Sequence, residues 1–153
     1  MDDSTLTDVE RRFLAELDAR GVRYLIVGLT AAVLQGANTT TVDIDLWFES
    51  TADPRIAEAA TVAGGFWVSS FGMMPAGLGG PLGDRFDVVN AMSGLADFAT
   101  EYGGAKVVSV EGLSVRVLPL ARILASKRTA NRAKDLAAIP ALEEALAASA
   151  DVD

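Results

Sequence analysis

Apolar and polar positions follow two different periods along this chain, and together they predict alternating helices and strands. Apolar residues three and four apart, bounded by capping and stop signals, indicate helices. Short apolar runs and strict alternation indicate strands. The first predicted helix begins at Thr7 and ends before Gly21. Five further helices are predicted at 30–35, 54–63, 95–102, 119–129 and 132–148, and the last of them is bent or interrupted at Pro140. The predicted strands cover 24–27, 42–48, 66–71 and 85–89, with a hairpin of 106–110 and 113–117.

The order of these elements predicts an α/β (α+β) fold in which a mixed β-sheet is flanked by helices. Strands and helices alternate early in the chain, whereas the hairpin comes late. Residues 72–83 contain five glycines and two prolines, so we expect a mobile loop there. We expect a single domain over 1–153, with a sheet-containing core at 22–117 and C-terminal helices at 118–148.

Two missing residue types narrow the chemistry considerably. The 153 residues include no cysteine and no histidine. Disulfide scaffolds, thiolate zinc sites, cysteine nucleophiles and Ser-His-Asp triads are therefore excluded. Any metal must sit on oxygen ligands, which favours Mg²⁺, Mn²⁺ or Ca²⁺.

The charge balance and the hydropathy pattern argue against membranes and against broad DNA binding. Thirteen basic and 21 acidic side chains give a net charge of −8, which repels polyanions, although a local basic patch stays open. The first ten residues are acidic and do not resemble a signal peptide. The longest apolar run, 24–34, is far shorter than the ~20 residues of a membrane span. These features predict a cytoplasmic protein.

Two aspartates in the second strand are the first candidate site. Alternation places Asp43 and Asp45 on one face of the strand and Ile44 on the other. Carboxylates this close repel each other, and a divalent cation between them removes that cost. The alternative is a strand edge whose acids are simply solvated.

A glycine turn lies just upstream of these aspartates. The strand 24–27 meets Gly28, where a tight turn followed by a helix start would present backbone N–H groups to a phosphate. An ordinary strand-to-helix turn is the alternative.

Taken together, VGLTAAVLQG at 27–36 and TVDIDL at 41–46 resemble the signature of the nucleotidyltransferase superfamily. Small members of that superfamily include minimal nucleotidyltransferases and abortive-infection-type toxins. The C-terminal pattern of leucines with Lys127, Arg132 and Lys134-Asp135 is similar to their helical tail. The resemblance covers residues 22–48 and 85–139.

The resemblance implies a metal-dependent enzyme. Asp43, Asp45 and a third carboxylate, Asp87, would hold Mg²⁺ (or Mn²⁺). Asp84 is the alternative third ligand, and in that case Asp87 would be a solvent-facing acid on its strand. The enzyme would move an NMP, with AMP favoured, from an NTP to an acceptor hydroxyl on a small molecule, a protein or an RNA. A toxin–antitoxin or resistance context and a protein partner or homo-oligomer are implied as well.

Two departures from the superfamily pattern keep an inactive binding or regulatory module as the alternative function. Leu29 stands where relatives have glycine or serine, and Thr39 where close relatives often have arginine. Thr30 would supply a hydroxyl to a phosphate only if the turn shifted by one residue. The third interpretation is an α/β domain whose acids bind no metal.

Basic side chains of the C-terminal helices are candidates for charge neutralisation. We expect Lys127, Arg132 and Lys134 to face the triphosphate or a polyanionic acceptor, or else to form a solvated helix face. Arg122 and Arg128 are expected at the surface. Alternatively, Lys134 and Asp135 form a structural ion pair against the sheet.

Overall fold

Seven strands and six helices make up the regular structure of residues 6–152, the part of the chain that this computed structural model describes. The helices are α1 (Asp8–Ala19), α2 (Gly28–Leu34), α3 (Pro54–Ala63), α4 (Phe98–Gly103), α5 (Leu120–Ala130) and α6 (Ala133–Val152). The strands are β1 (Tyr24–Val27), β2 (Ile44–Phe48), β3 (Phe66–Val68), β4 (Gly77–Gly79), β5 (Phe86–Val89), β6 (Lys106–Val110) and β7 (Leu113–Val117). A 3₁₀ turn at Gly80–Gly83 precedes β5.

Five of the strands form one mixed sheet in the order β5-β2-β1-β7-β6. β1 is antiparallel to β2 and parallel to β7, β2 is parallel to β5, and β6 and β7 form an antiparallel hairpin. β3 and β4 pair separately. A mixed sheet flanked by helices is the fold class that the sequence predicted.

Helices cover both faces of the sheet. On one face, the Phe13 ring of α1 lies 5.5 Å from the Phe86 ring of β5, measured between centroids. On the other face, Trp47 of β2 contacts Phe98 of α4 at 5.6 Å. Because Phe86 is in register with Ile44, three residues before Trp47, the two aromatic contacts lie on opposite faces. This core therefore holds the sheet between two helical layers.

The elements with strong local signals formed where the sequence placed them. The Thr7 hydroxyl accepts from the Glu10 N–H at 3.1 Å, and the Glu10 carboxylate accepts from the Thr7 N–H at 3.0 Å. This reciprocal capping box starts α1 directly after Thr7. α3 begins after a different cap, in which the Asp53 carboxylate accepts from the Arg55 N–H and Pro54 occupies the first helical position. The hairpin turns at Glu111 and Gly112, both with positive φ, as predicted.

Several predicted boundaries were wrong by one to four residues. β2 begins at Ile44, whose N–H donates to the Arg85 carbonyl at 2.7 Å, so residues 42 and 43 precede the strand. β5 begins at Phe86, β3 ends at Val68, and α4 begins at Phe98 after its cap Asp97. α5 begins at Leu120 and α6 at Ala133. α6 continues past the exposed Pro140 to Val152 without interruption.

The largest correction concerns residues 72–83, predicted as a mobile loop. They contain β4 and the 3₁₀ turn. A Cβ at Gly79 would overlap the Phe66 ring, which stands opposite it across the β3–β4 pair. The glycine is thus a packing site for an aromatic ring, so the composition of the segment suggested flexibility where ordered pairing occurs.

None of the helices among the described residues combines the length and the apolar character that crossing a bilayer requires.

Candidate active site

The end of β1 brings Gly28 against the Asp45 carboxylate. Val27, the last residue of β1, is paired with Asp45 on the antiparallel strand β2. α2 begins immediately afterwards at Gly28, not at Thr30 as predicted. Gly28 has a φ of +70°, and a Cβ on it would overlap Asp45 Oδ2. Only glycine combines this backbone conformation with so close an approach.

Asp87 stands beside Asp45 on the neighbouring strand. β2 and β5 are parallel, and Asp45 and Asp87 are directly in register. Side chains in register on adjacent strands point to the same face, with backbones about 4.8 Å apart. Asp45 is half-buried and Asp87 is exposed. The structure therefore brings these two candidate residues together, whereas Asp84 lies before β5, at the end of the 3₁₀ turn.

Asp43 lies at the entrance of β2 and is positioned through its backbone. The Thr30 hydroxyl donates to the Asp43 carbonyl, and the Thr41 hydroxyl donates to the same oxygen at 3.4 Å. The Asp43 side chain is exposed, and its charge raises the pKa of both other aspartates. All three acids thus belong to one electrostatic site.

Burial and neighbouring acidic charges raise the pKa values of Asp45 and Asp87. For Asp45, burial is the largest cause, followed by the charges of Asp87 and Asp43, and Lys127 and Lys134 counteract them in part. For Asp87, burial again comes first and Asp43 second. Acids whose negative charge is undercompensated in this way are stabilised by a bound cation.

The donor set is compatible with a divalent ion that also has phosphate ligands. Among residues 6–152, no three acidic side chains are already grouped closely enough to enclose a metal. Mg²⁺ typically uses only one or two protein carboxylates and completes its shell with water and substrate phosphates. Asp45 and Asp87 side by side supply that number.

The basic residues near the site are organised by a buried acid, Asp135. It is fully buried and accepts from Lys127 Nζ at 3.2 Å, from Arg132 Nε at 2.6 Å and from Arg132 Nη2 at 3.1 Å. The predicted ion pair of Lys134 and Asp135 is therefore wrong, because the ion-pair partners of Asp135 are Lys127 and Arg132. Lys134 is exposed and, like Lys127, acts electrostatically on Asp45.

The two arginines expected at the surface have acidic partners. Arg128 is exposed and pairs with the exposed Glu143 at 2.6 Å. Arg122 is less exposed and binds the buried Glu101 with two hydrogen bonds, at 3.0 and 2.7 Å. Neither arginine is among the groups that shift the pKa of Asp45. Both arginines therefore have a structural role, through their ion pairs.

The positions that depart from the superfamily pattern have local roles. Leu29 is half-buried and packs against the core. The Thr30 hydroxyl is used by the Asp43 carbonyl, a role that sequence reasoning missed. Thr39 lines a cavity, together with Ile44, whose side chain points away from the Asp45 face of β2. Leu29 and Thr39 therefore have packing roles, whereas Thr30 helps to position Asp43.

The five-stranded mixed sheet with its flanking helices has a nucleotidyltransferase-type fold, as the likeness to two solved structures shows. Two similar solved structures are both of ANT(2'')-Ia. A crystal structure in complex with adenylyl-2''-tobramycin has a TM-score of 0.59 and 20% identity, covering 93% of this chain and 90% of that one. A solution structure, described as that of an antibiotic-resistance factor, has a TM-score of 0.63 and 18% identity, covering 92% and 84%. At these identities the likeness establishes the fold.

Neither a family model nor a curated protein matches this sequence.

Asp45→Asn is expected to raise the melting temperature of the metal-free protein at pH 7. Because the pKa of Asp45 is raised, the folded state holds this proton more tightly than the unfolded chain does. Stability therefore falls as pH rises through the interval between the ordinary pKa, about 4, and the raised value. Asparagine removes that loss. Melting temperatures of the wild type and of Asp45→Asn, measured by thermal unfolding between pH 4 and pH 8, test this difference.

The control for this prediction is Asp8→Asn, an exposed aspartate in the first turn of α1. This variant should not gain stability at neutral pH, because Asp8 favourably faces a helix N-terminus. A lower melting temperature for Asp45→Asn at pH 7 would contradict the prediction.

Proposed function

We propose that this protein is a metal-dependent nucleotidyltransferase, which moves an NMP from an NTP to the hydroxyl of an acceptor. The observation that carries the proposal is the in-register pair of undercompensated carboxylates, Asp45 and Asp87, with Asp45 against Gly28 at the end of β1. The nucleotidyltransferase-type fold supports it.

The chain's own residues divide the work of the proposed reaction. Asp45 and Asp87 hold the divalent ion, with Asp43 at the edge of the site, and bound Mg²⁺ would neutralise charge on the triphosphate. Backbone N–H groups of Gly28, Leu29 and Thr30 lie in the first turn of α2, where intrahelical partners are lacking, and face the phosphates. Lys127 and Lys134 add positive charge that acts on Asp45.

The proposed transfer is an in-line substitution at the α-phosphorus. The acceptor oxygen forms a bond to that phosphorus while the bond to the α,β-bridging oxygen breaks, and pyrophosphate leaves. Asp87, the more exposed acid of the pair, accepts the proton of the acceptor hydroxyl. Arg132 contributes indirectly, since it holds Asp135 and thereby the helix pair that carries the lysines.

AMP transfer to a small-molecule hydroxyl is the version of this proposal that the comparisons support. ANT(2'')-Ia was solved with an adenylylated tobramycin and is described as an antibiotic-resistance factor. By this analogy we propose a resistance-type acceptor first. A hydroxyl of a protein or an RNA would accept AMP by the same reaction. A toxin–antitoxin setting is compatible with that reaction as well.

Calorimetric titration with Mg²⁺ and a non-hydrolysable ATP analogue tests the proposal. The wild type is expected to bind the nucleotide only with the metal, and Asp43→Asn/Asp45→Asn is expected to lose that binding. Asp8→Asn is the matched control and should bind like the wild type. Metal-independent binding, or equal binding by the double variant, would contradict a catalytic metal site here.

A second candidate is a nucleotidyltransferase-fold module that docks another protein and has lost transfer. One observation favours it, namely that the tip between β3 and β4 exposes large apolar side chains. Phe71 is 83% exposed, Met74 68% and Met73 fully exposed, and such patches are typical of interaction sites. In this case, both the wild type and the Asp43/Asp45 variant should fail to bind the Mg²⁺-nucleotide.

A further inference from the structure

A cavity of about 250 Å³ lies on the face of the sheet opposite the carboxylates. Its floor includes Ile26 and Ile44, and Ile44 alternates with Asp45 along β2, so it points to the other face. Leu14 of α1 and Val115 of β7 are fully buried and also line it. The cavity is therefore separate from the site described above.

The most exposed residues of the cavity lining lie in the segment 39–42, shortly before β2. Three consecutive threonines of this segment line it, together with Val42, which is 72% exposed. Threonine residues thus line part of a mostly apolar space. Arg85 also lines the cavity, and its guanidinium is bound to Glu10 at 2.6 and 2.9 Å, so its charge is compensated within the protein.

We propose that this cavity binds a compact apolar molecule, of the size of one aromatic ring or two fused rings, with at most one polar edge. Apolar cavities of this order of size stay dry and accept aromatic ligands. Small-molecule sites combine mostly apolar walls with a few polar groups that orient the ligand, as the threonine rim does here. An ionised ligand would lose its hydration without gaining a counter-charge.

The cavity is connected to the acidic site through Asp43. Thr30 lines the cavity and donates its hydroxyl hydrogen bond to the Asp43 carbonyl. Thr41 also lines it and donates to the same carbonyl at 3.4 Å. A ligand that contacts these threonines therefore shifts the backbone at Asp43. Binding at the cavity is sensed on the opposite face of the sheet.

Titration of ¹⁵N-labelled protein with indole, followed by NMR, tests the proposal without any nucleotide. We expect saturable shifts of the cavity residues Val33 and Val110 and of the Asp43 amide. Imidazole, which is polar and resembles the five-membered ring of indole in shape, should produce none of these shifts. Since neither metal nor nucleotide is present, the result is independent of the proposed transferase activity.

Two variants separate the binding site from its connection to Asp43. Val33→Phe fills part of the cavity from α2 and should weaken indole binding by about tenfold or more, whereas the matched Val62→Phe, at a 40% exposed position on α3, should not. Thr30→Val keeps the shape of the lining but removes the hydroxyl, so it should retain binding and lose the shift at Asp43.

The outcomes are decisive for each part of the proposal. A wild type without saturable shifts, or equal affinity in Val33→Phe, would overturn the binding site. Saturable shifts confined to the cavity, with the Asp43 amide unmoved, would overturn the connection. If Val33→Phe does not fold, the absence of indole shifts in folded Thr30→Val would overturn the site, because that variant preserves the apolar lining.

Discussion

Asp135→Asn is expected to lower the free energy of unfolding by about 3–5 kcal/mol, because breaking a buried ion cluster leaves uncompensated charges behind. Asp135 is fully buried and binds Lys127 and Arg132 at the junction of α5 and α6. Its loss strands the largely buried Lys127 ammonium. Total stabilities are only about 5–15 kcal/mol, so urea denaturation followed by circular dichroism should resolve the change easily.

Glu143→Gln is the matched control for this prediction. Glu143 pairs with Arg128 between the same two helices, but both side chains are more than half exposed. Exposed pairs are worth about 0–1 kcal/mol, so this variant should stay close to the wild type. Similar losses in both variants would show that burial of Asp135 does not determine the effect.

The same acid gives the prediction a pH dependence. Hydrogen bonds from Arg132 and then from Lys127 hold the pKa of Asp135 well below its usual range, although burial opposes them. A lowered pKa contributes stability that is present above the ordinary value of about 4 and is lost as pH falls below it. The wild type should therefore lose stability in acid more steeply than Asp135→Asn does.

Gly28→Ala is expected to have the second-largest effect, on both stability and binding. Holding alanine at a φ of +70° costs about 1–2 kcal/mol. In addition, the new Cβ would overlap Asp45 Oδ2, so the carboxylate must move away from the end of β1. We expect loss of Mg²⁺-nucleotide binding in calorimetry and a lower unfolding free energy in urea.

Gly36→Ala isolates the backbone contribution. Gly36 ends the same α2 segment with a φ of +100°, and no atom would meet its Cβ within 4 Å. This variant should lose stability through strain alone and keep nucleotide binding. If Gly28→Ala binds nucleotide like Gly36→Ala, the contact between Gly28 and Asp45 has no role in the site.

The fold was predictable where neighbouring residues determine the structure. The capping box at Thr7, the Asp53-Pro54 start of α3 and the Glu111-Gly112 hairpin depend on groups a few residues apart. Residues 72–83 were mispredicted because Gly79 pairs with Phe66, thirteen positions earlier, and glycine content alone suggests flexibility. Long-range pairing of this kind leaves no local periodicity.

The site was predictable in part for the same reason. The alternation of Asp43 and Asp45 is local, and it pointed to a polar site at the start of β2, downstream of the Gly28 turn. A resemblance predicted that Asp87 shares the site of Asp45, and the strand register that places the two side by side is a property of the tertiary structure. The Thr30–Asp43 hydrogen bond and the true partners of Asp135 were missed, because they join residues whose approach depends on the packed helices.

By itself, the sequence determined the mixed helix-and-strand fold class and restricted the chemistry to oxygen ligands, since hydrophobic period and side-chain composition are properties of the chain alone. Only the tertiary structure decided which acids share a face, which cations are committed to Asp135, and that an apolar cavity lies behind Asp43. Those features depend on strand register and helix packing, which bring distant residues within a few ångströms and are set by the whole core at once.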